Sequence, residues 1–291
     1  MSGSNHEALA QEWLAPDEPA AFRIINAEGK SHAVLVCDHA SNLVPRRLGT
    51  LGLGAGELAD HIAWDPGAAE VAQRLAAHLD APLVLSGYSR LVIDCNRPLD
   101  SPESIPMQSA GVAVPGNLEL TLEEREARVN ALFWPYHRAI TRLLDQRADR
   151  PSLLLSIHSF TPCLDGHARP WSIGVSYGRD RRLAALMRHE LLRRGDLLLV
   201  GDNEPYAIED AHDYTIPVHG ENRGLRHVLI EIRQNGIRTP AEAATWAARL
   251  AEAYGAIEVM WPDAPISGSA GYRQYLAASG MLKYKEKEEP V

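Results

Sequence analysis

Short apolar runs punctuate the chain at residues 33–37, 82–85, 91–93, 153–157, 172–176, 197–200 and 228–232. Their near-continuous apolar character, without strict alternation, predicts seven strands buried on both faces, as in a parallel sheet. Helical patterns lie between them. Asp65-Pro66 opens one over residues 67–79, and Thr121 with Glu124 forms a capping box for the next. In that second helix Val129, Leu132, Phe133, Tyr136, Ile140, Leu143 and Leu144 recur at three- and four-residue steps, giving one apolar stripe that Pro135 should kink. Asp180 is a candidate cap for a helix running to about Arg194. Thr239-Pro240-Ala241-Glu242 combines an N-cap, a first-position proline and a capping-box glutamate before a helix ending near Gly255.

This alternation predicts an α/β protein with helices on both faces of one sheet, a single-domain three-layer sandwich. Residues 1–26 read as a polar N-terminal arm, 27–262 as the domain, and 263–291 as a C-terminal extension in which 271–282 is a candidate helix. The irregular stretch 99–117, rich in Pro, Ser and Gly, is long for a connection and reads as a lid or site loop.

Charge narrows the partners. With 29 Lys+Arg against 38 Asp+Glu, the net charge of −9 offers no basic surface for nucleic acid or an acidic membrane, so a small molecule is the expected partner. Three scattered cysteines give neither a disulfide framework nor a zinc knuckle and point to a reducing compartment. No signal-peptide pattern and no run of about 18 apolar residues is found, so a cytoplasmic location is expected. The sequence leaves the oligomeric state open.

In open α/β sheets ligands collect beyond the carboxyl ends of the strands, so the residues following each run matter most. Asp38, His39, Ser41 and Asn42 follow the first; Asp94, Asn96 and Arg97 follow 91–93; His158 and Ser159 lie at the end of 153–157; Glu231 and Arg233 end the last. Two imidazoles from separate strand ends, with carboxylates near, are the ingredients of a catalytic zinc site, so His39 and His158 are candidate ligands. Asn42 stands three residues after His39, where a His-x-x-Glu motif would place its carboxylate, and a neutral amide oxygen is a poor zinc ligand. Asp65 is the substitute third ligand, with plain N-capping as its alternative. Tyr206, His212 and His219 lie in a polar stretch that can line a pocket, where Tyr206 or His219 would polarise a carbonyl. Cys37 reads as a buried thiol, and Gly49, Gly52, Gly54 and Gly56 as a flexible loop rather than a phosphate-binding motif.

The segments Val36-Cys37-Asp38-His39-Ala40-Ser41-Asn42, Ala63-Trp64-Asp65-Pro66-Gly67-Ala68, Ser89-Arg90-Leu91-Val92-Ile93-Asp94-Cys95-Asn96-Arg97-Pro98, Ile157-His158-Ser159-Phe160-Thr161-Pro162 and Ile230-Glu231-Ile232-Arg233-Gln234 together resemble the N-formylglutamate amidohydrolase family. Members of that family are similar to zinc carboxypeptidases and aspartoacylases. The resemblance spans roughly residues 34–257. It implies a zinc-carboxypeptidase-like α/β fold, His39 and His158 on a zinc ion, Glu231 as general base, and Asn96 with Arg97 gripping a substrate carboxylate. Asn42 departs from the family pattern. Arg90 or Arg233 would assist Arg97, since a planar guanidinium suits a carboxylate.

The resulting expectation is a zinc hydrolase that cleaves N-formyl-L-glutamate, or a related N-acyl acidic amino acid, to formate and the free amine. The alternatives are the same site acting on another N-acyl amino acid or small peptide, and a non-catalytic member of the fold that binds an anion or a metal.

Overall fold

The computed structural model describes residues 13–195 and 198–258. Its centre is a seven-stranded sheet of β1 (Phe22–Ile25), β2 (Ala33–Cys37), β3 (Leu83–Ser86), β4 (Leu153–Phe160), β5 (Ile173–Ser176), β6 (Val200–Asp202) and β7 (Arg226–Arg233). The spatial order is β1-β3-β2-β4-β7-β5-β6. The pairs β3–β2, β2–β4, β4–β7 and β5–β6 are parallel, whereas β1–β3 and β7–β5 are antiparallel.

Alternate side chains on these buried strands feed two cores, as the two-residue period of a strand requires. Leu35, Cys37, Leu83, Leu155 and Ile230 face one layer of helices: α2 (Ala68–Leu79), α5 (Arg182–Arg193) and α6 (Pro240–Glu258). Val34, Val36, Val84, Leu154 and Leu229 face the other, where α4 (Trp134–Asp145) supplies Tyr136, Ile140 and Leu143. The expected three-layer α/β architecture is thus the one observed. A short helix, α1 (Ala55–Ala59), precedes α2, and the capped helix at Thr121 is α3 (Leu122–Arg128). Between α3 and α4 lies a π-helical turn, Val129–Phe133, just before Pro135. There the ladder is re-registered where the proline offers no N–H. Among the described residues no helix is long and apolar enough to cross a membrane.

Two strand expectations change. Residues 91–93 are fully buried but form a turn inside a third apolar cluster with Leu51, Ile62, Val114 and Phe133. Two of their carbonyls are satisfied by side chains instead of a neighbouring strand: Asn117 Nδ2 donates to Leu91 O and Arg128 Nη1 to Val92 O. Conversely, Phe22–Ile25, within the expected arm, is the half-exposed edge strand β1. The sixth strand begins at Val200. Residues 99–117 hold a two-strand hairpin, Gln108–Ser109 with Val112–Ala113, between short helical turns. The expected C-terminal extension and its helix lie outside the described residues.

Candidate active site

The carboxyl ends of β2, β4 and β7 open on a cavity of about 510 Å³. In-register pairing sets its centre. His158 on β4 is the direct partner of Glu231 on β7, so both side chains leave the same face of adjacent strands. His39 lies two residues beyond β2, and its carbonyl accepts the Asp65 amide at 3.0 Å, which brings the turn before α2 against the end of the strand. That turn depends on Gly67, which sits at φ 83°; a Cβ there would lie 2.5 Å from the Ile237 carbonyl oxygen.

Asp65 does not cap α2, whose N-cap is Gly67. Its Oδ2 instead accepts the Ser159 amide at 3.1 Å and faces His158 Nδ1 at 3.0 Å and His39 Nδ1 at 3.4 Å. His39, Asp65 and His158 are all buried, each offers one ligand atom, and those atoms lie within 4.8 Å of one another. The two rings meet edge-on with centroids 4.9 Å apart.

The far nitrogens are held by carboxylates. His39 Nε2 is 2.7 Å from Asp94 Oδ1, and His158 Nε2 is 2.9 Å from Asp38 Oδ2. A carboxylate only accepts, so both Nε2 atoms carry hydrogen and Nδ1 is the atom each ring can offer to a metal ion, while against Asp65 Oδ2 alone a protonated His158 Nδ1 donates. Asp38 is itself fixed by Tyr136 Oη at 2.9 Å, Thr215 Oγ1 at 2.6 Å and Ser156 Oγ at 3.1 Å. Asp94 is fixed by Arg90, whose Nη2 is 2.7 Å away, and by the Asn96 amide.

Electrostatics describe a place prepared for positive charge. Burial opposes the charged form of both histidines, and Arg90 opposes it at His39. The surrounding carboxylates outweigh this and raise both pKa values above the usual imidazole value. Burial likewise works against ionised Asp38, Asp65 and Asp94, yet their cationic and hydrogen-bonding neighbours hold all three well below the usual carboxylate range. Two imidazole nitrogens and a carboxylate oxygen converging on one point, with His39 Nδ1 buried and making no hydrogen bond, suit a divalent cation with a position open to the cavity. This group can hold a metal ion.

Glu231 differs from these carboxylates. Burial, reinforced by the charge of Asp65 but opposed by His158, His39 and Arg90, pushes its carboxyl up to about 7. Its Oε2 is buried without a hydrogen-bond partner, and the residue lines the cavity.

Of the remaining expected site residues, Arg90, Asn96, Arg97 and Tyr206 line the cavity, as does His212. Arg90 is taken up by Asp94, with Asp65 Oδ1 at 3.7 Å. The Asn96 amide is spent on the neighbouring loop, donating to Asp213 at 3.0 Å and accepting from the Thr215 amide at 3.0 Å. Arg97 is the more available cation, though Glu103 and Asp213 stand beside it. Two expectations change. Arg233 is not among the cavity residues; its Nη1 donates to the carbonyls of Arg169 and Pro170. His219 is buried behind the site, its Nε2 3.0 Å from His137 Nδ1 in a stacked pair. Asn42 Nδ2 donates to the Leu58 carbonyl at 2.9 Å, and the residue is not among those lining the cavity. Cys37 is a buried thiol raised by burial. Sequence reasoning assigned no role to Asp38 or Asp94, although both directly follow apolar runs, nor to Glu103, Glu209 and Asp213 at the cavity wall.

Fold and centre together define an α/β protein with a buried His–Asp–His group beside an unpaired glutamate in an open cavity. The model of the N-formylglutamate amidohydrolase family matches residues 31–238, and the chain belongs to that family. It is similar to a gene product of Agrobacterium tumefaciens of known crystal structure, at 40% identity and a TM-score of 0.81 over 84% of this chain and 99% of that one. It also resembles in fold the N-formylglutamate amidohydrolase of Ralstonia eutropha, at 19% identity and a TM-score of 0.61 over 82% of this chain and 97% of the other. No curated protein matches the sequence.

Proposed function

We propose that this protein is a zinc-dependent amidohydrolase that converts an N-formyl amino acid, with N-formyl-L-glutamate the first substrate to test, into formate and the free amino acid. The observation that carries the proposal is the convergence of His39 Nδ1, Asp65 Oδ2 and His158 Nδ1 beside the unpartnered Glu231 Oε2 in one cavity. Family membership supports the reaction class.

His39, Asp65 and His158 would hold the metal, and zinc bound there would polarise the amide carbonyl and make water acidic near neutrality. Asp94 and Asp38 keep the two imidazoles in the tautomer that turns Nδ1 inward. Glu231 accepts the proton of the attacking water at Oε2 and delivers it to the departing amide nitrogen. Burial raises this carboxyl above the ordinary glutamate value, which favours its taking up a proton and holding it for the leaving nitrogen. Arg97 anchors a substrate carboxylate, and Asn96 positions the loop through Asp213 and Thr215 that forms the cavity wall beside it. Tyr206 closes another side of the cavity, its ring 4.8 Å from the Arg169 guanidinium.

The test is formate release from N-formyl-L-glutamate by zinc-loaded protein and by the same protein stripped with a chelator. Turnover that is lost on stripping and restored by zinc is the expected result. Folded, metal-loaded protein that releases no formate from any N-formyl amino acid overturns the proposal.

A further inference from the structure

Arg97 meets an internal carboxylate before it meets a substrate. Its Nε donates to Glu103 Oε2 at 3.0 Å, and its Nη1 donates to the Asn96 carbonyl at 3.2 Å with Asp213 Oδ1 at 3.8 Å. A ligand carboxylate that uses the Nε edge of this guanidinium needs the position Glu103 holds. We propose that Glu103 is a displaceable stand-in for the substrate carboxylate, a specificity-setting residue that occupies Arg97 until an anionic ligand takes its place. The inference rests on Arg97 being the carboxylate anchor.

The surrounding structure lets Glu103 swing while its backbone stays put. Glu103 belongs to the short helical turn Pro102–Ser104, capped by Ser101. The next residue is locked: Ser104 is fully buried, its carbonyl accepts the Asp94 amide at 2.8 Å, and its hydroxyl donates to the Ser101 carbonyl at 2.8 Å. The base of the loop is therefore tied to the backbone of Asp94, the residue whose carboxylate orients His39. The Glu103 side chain, by contrast, is 58% exposed, against 21% for Arg97. Releasing the pair costs only side-chain rearrangement into water.

Charge explains why such a residue would shape selectivity. Glu103, Glu209 and Asp213 all line the cavity, whereas Arg90 is already neutralised by Asp94. A neutral ligand gains nothing by displacing Glu103. A carboxylate exchanges one ion pair for another and leaves Glu103 hydrated, so the internal ion pair weakens every carboxylate ligand by its own strength. Exposed ion pairs of this kind are worth a factor of roughly two to five in a binding constant.

The experiment measures binding of succinate and of its uncharged analogue succinamide by calorimetry, using zinc-loaded wild type, Glu103→Gln, Glu103→Ala and Arg97→Gln at equal metal content. Succinate should bind roughly two- to fivefold more tightly to both Glu103 variants and more weakly to Arg97→Gln, with succinamide unchanged by the Glu103 substitutions. Turnover of N-formyl-L-glutamate by the Glu103 variants should show a lower KM at unchanged kcat. Succinate affinity that is unchanged or weakened in both variants overturns the inference, as does an equal gain for succinamide, which would mean that the side chain merely obstructs. Because the binding arm needs no turnover, absence of formate release from the wild type would count against the proposed activity and leave the role of Glu103 decided by succinate.

Discussion

Substituting Asp38 by Asn removes one negative charge and almost no volume from beneath His158. Asp38 Oδ2 receives His158 Nε2 at 2.9 Å and Ser156 Oγ at 3.1 Å, while Oδ1 receives Tyr136 at 2.9 Å and Thr215 at 2.6 Å. An asparagine oxygen can replace only one of these two acceptors. If its amide nitrogen takes the Oδ1 place, both hydroxyls must turn and accept, which hydroxyls can do. His158 then keeps its tautomer but loses a charge-assisted bond, which is about twice as strong as a neutral one. If the nitrogen takes the Oδ2 place, His158 Nε2 must accept, its proton moves to Nδ1, and the ring can no longer ligate. Either outcome lowers zinc affinity, and partners of this kind are typically worth 10–100-fold in metal affinity, or about 1.4–2.7 kcal/mol. The assay is competition for zinc against a chromophoric chelator, with circular dichroism confirming the fold. Tyr136→Phe, which deletes one bond and leaves the charge, should cost only a fraction of that loss. An Asp38→Asn protein that is folded and binds zinc within twofold of wild type would refute the reasoning that this carboxylate orients the ligand.

Glu231→Gln should retain zinc yet lose formate release by about 10²–10⁴-fold, checked by metal content and steady-state turnover on one sample. Gly67→Ala places a Cβ 2.5 Å from the Ile237 carbonyl oxygen at a left-handed φ, so a fall of at least 1–2 kcal/mol in unfolding free energy, accompanied by weaker zinc binding through displaced Asp65, is expected from denaturant titration and chelator competition. The buried His137–His219 pair sets an acid limit on stability. Burial, joined at His219 by its charged neighbours, lowers His137 to about 4 and His219 to about 3 from 6.5, so the unfolded chain takes up protons first as pH falls. The contribution is fully present above about pH 6.5 and is lost progressively below it, amounting to about 3 kcal/mol for His137 by pH 4 (2.5 pH units at 1.36 kcal/mol each). His137→Gln should remove that part of the slope in urea melts run between pH 4 and 7, and identical slopes for variant and wild type would contradict the assignment.

Much of this centre was legible because the chemistry follows buried strands. The run Ala33–Cys37 could only be a core strand, and a polar Asp-His pair immediately after it had to lie at a sheet end. The same logic found His158 and Glu231, which proved to be in-register neighbours. The logic failed where burial did not mean a strand. Residues 91–93 are as apolar as β3 but are buried by loops, with Asn117 and Arg128 satisfying the Leu91 and Val92 carbonyls. It also failed where a strand was not buried: β1 is an edge, and Arg23 and Ile24 face solvent. Asp65 was found as a carboxylate at a helix start, but what frees it from capping is the left-handed Gly67, whose role only the tertiary approach of Ile237 makes plain. Arg233 and His219 were misplaced because proximity to a strand end says nothing of rotamer. The Arg233 guanidinium turns back onto the Arg169 and Pro170 carbonyls, and His219 packs on His137, 82 residues away in sequence. Asp38 and Asp94 stood beside recognised residues, and their signal was available: a buried ligand histidine needs an acceptor for its second nitrogen.

The central claim is the position of one metal ion, and an anomalous-diffraction measurement at the zinc edge on crystals grown with zinc tests it most directly. A single strong peak about 2.0–2.2 Å from His39 Nδ1, His158 Nδ1 and an Asp65 oxygen, on the cavity side facing Glu231, is the predicted result. Zinc bound instead through the Nε2 atoms with Asp94 or Asp38, or no peak at this group in crystals that carry zinc elsewhere, would contradict it.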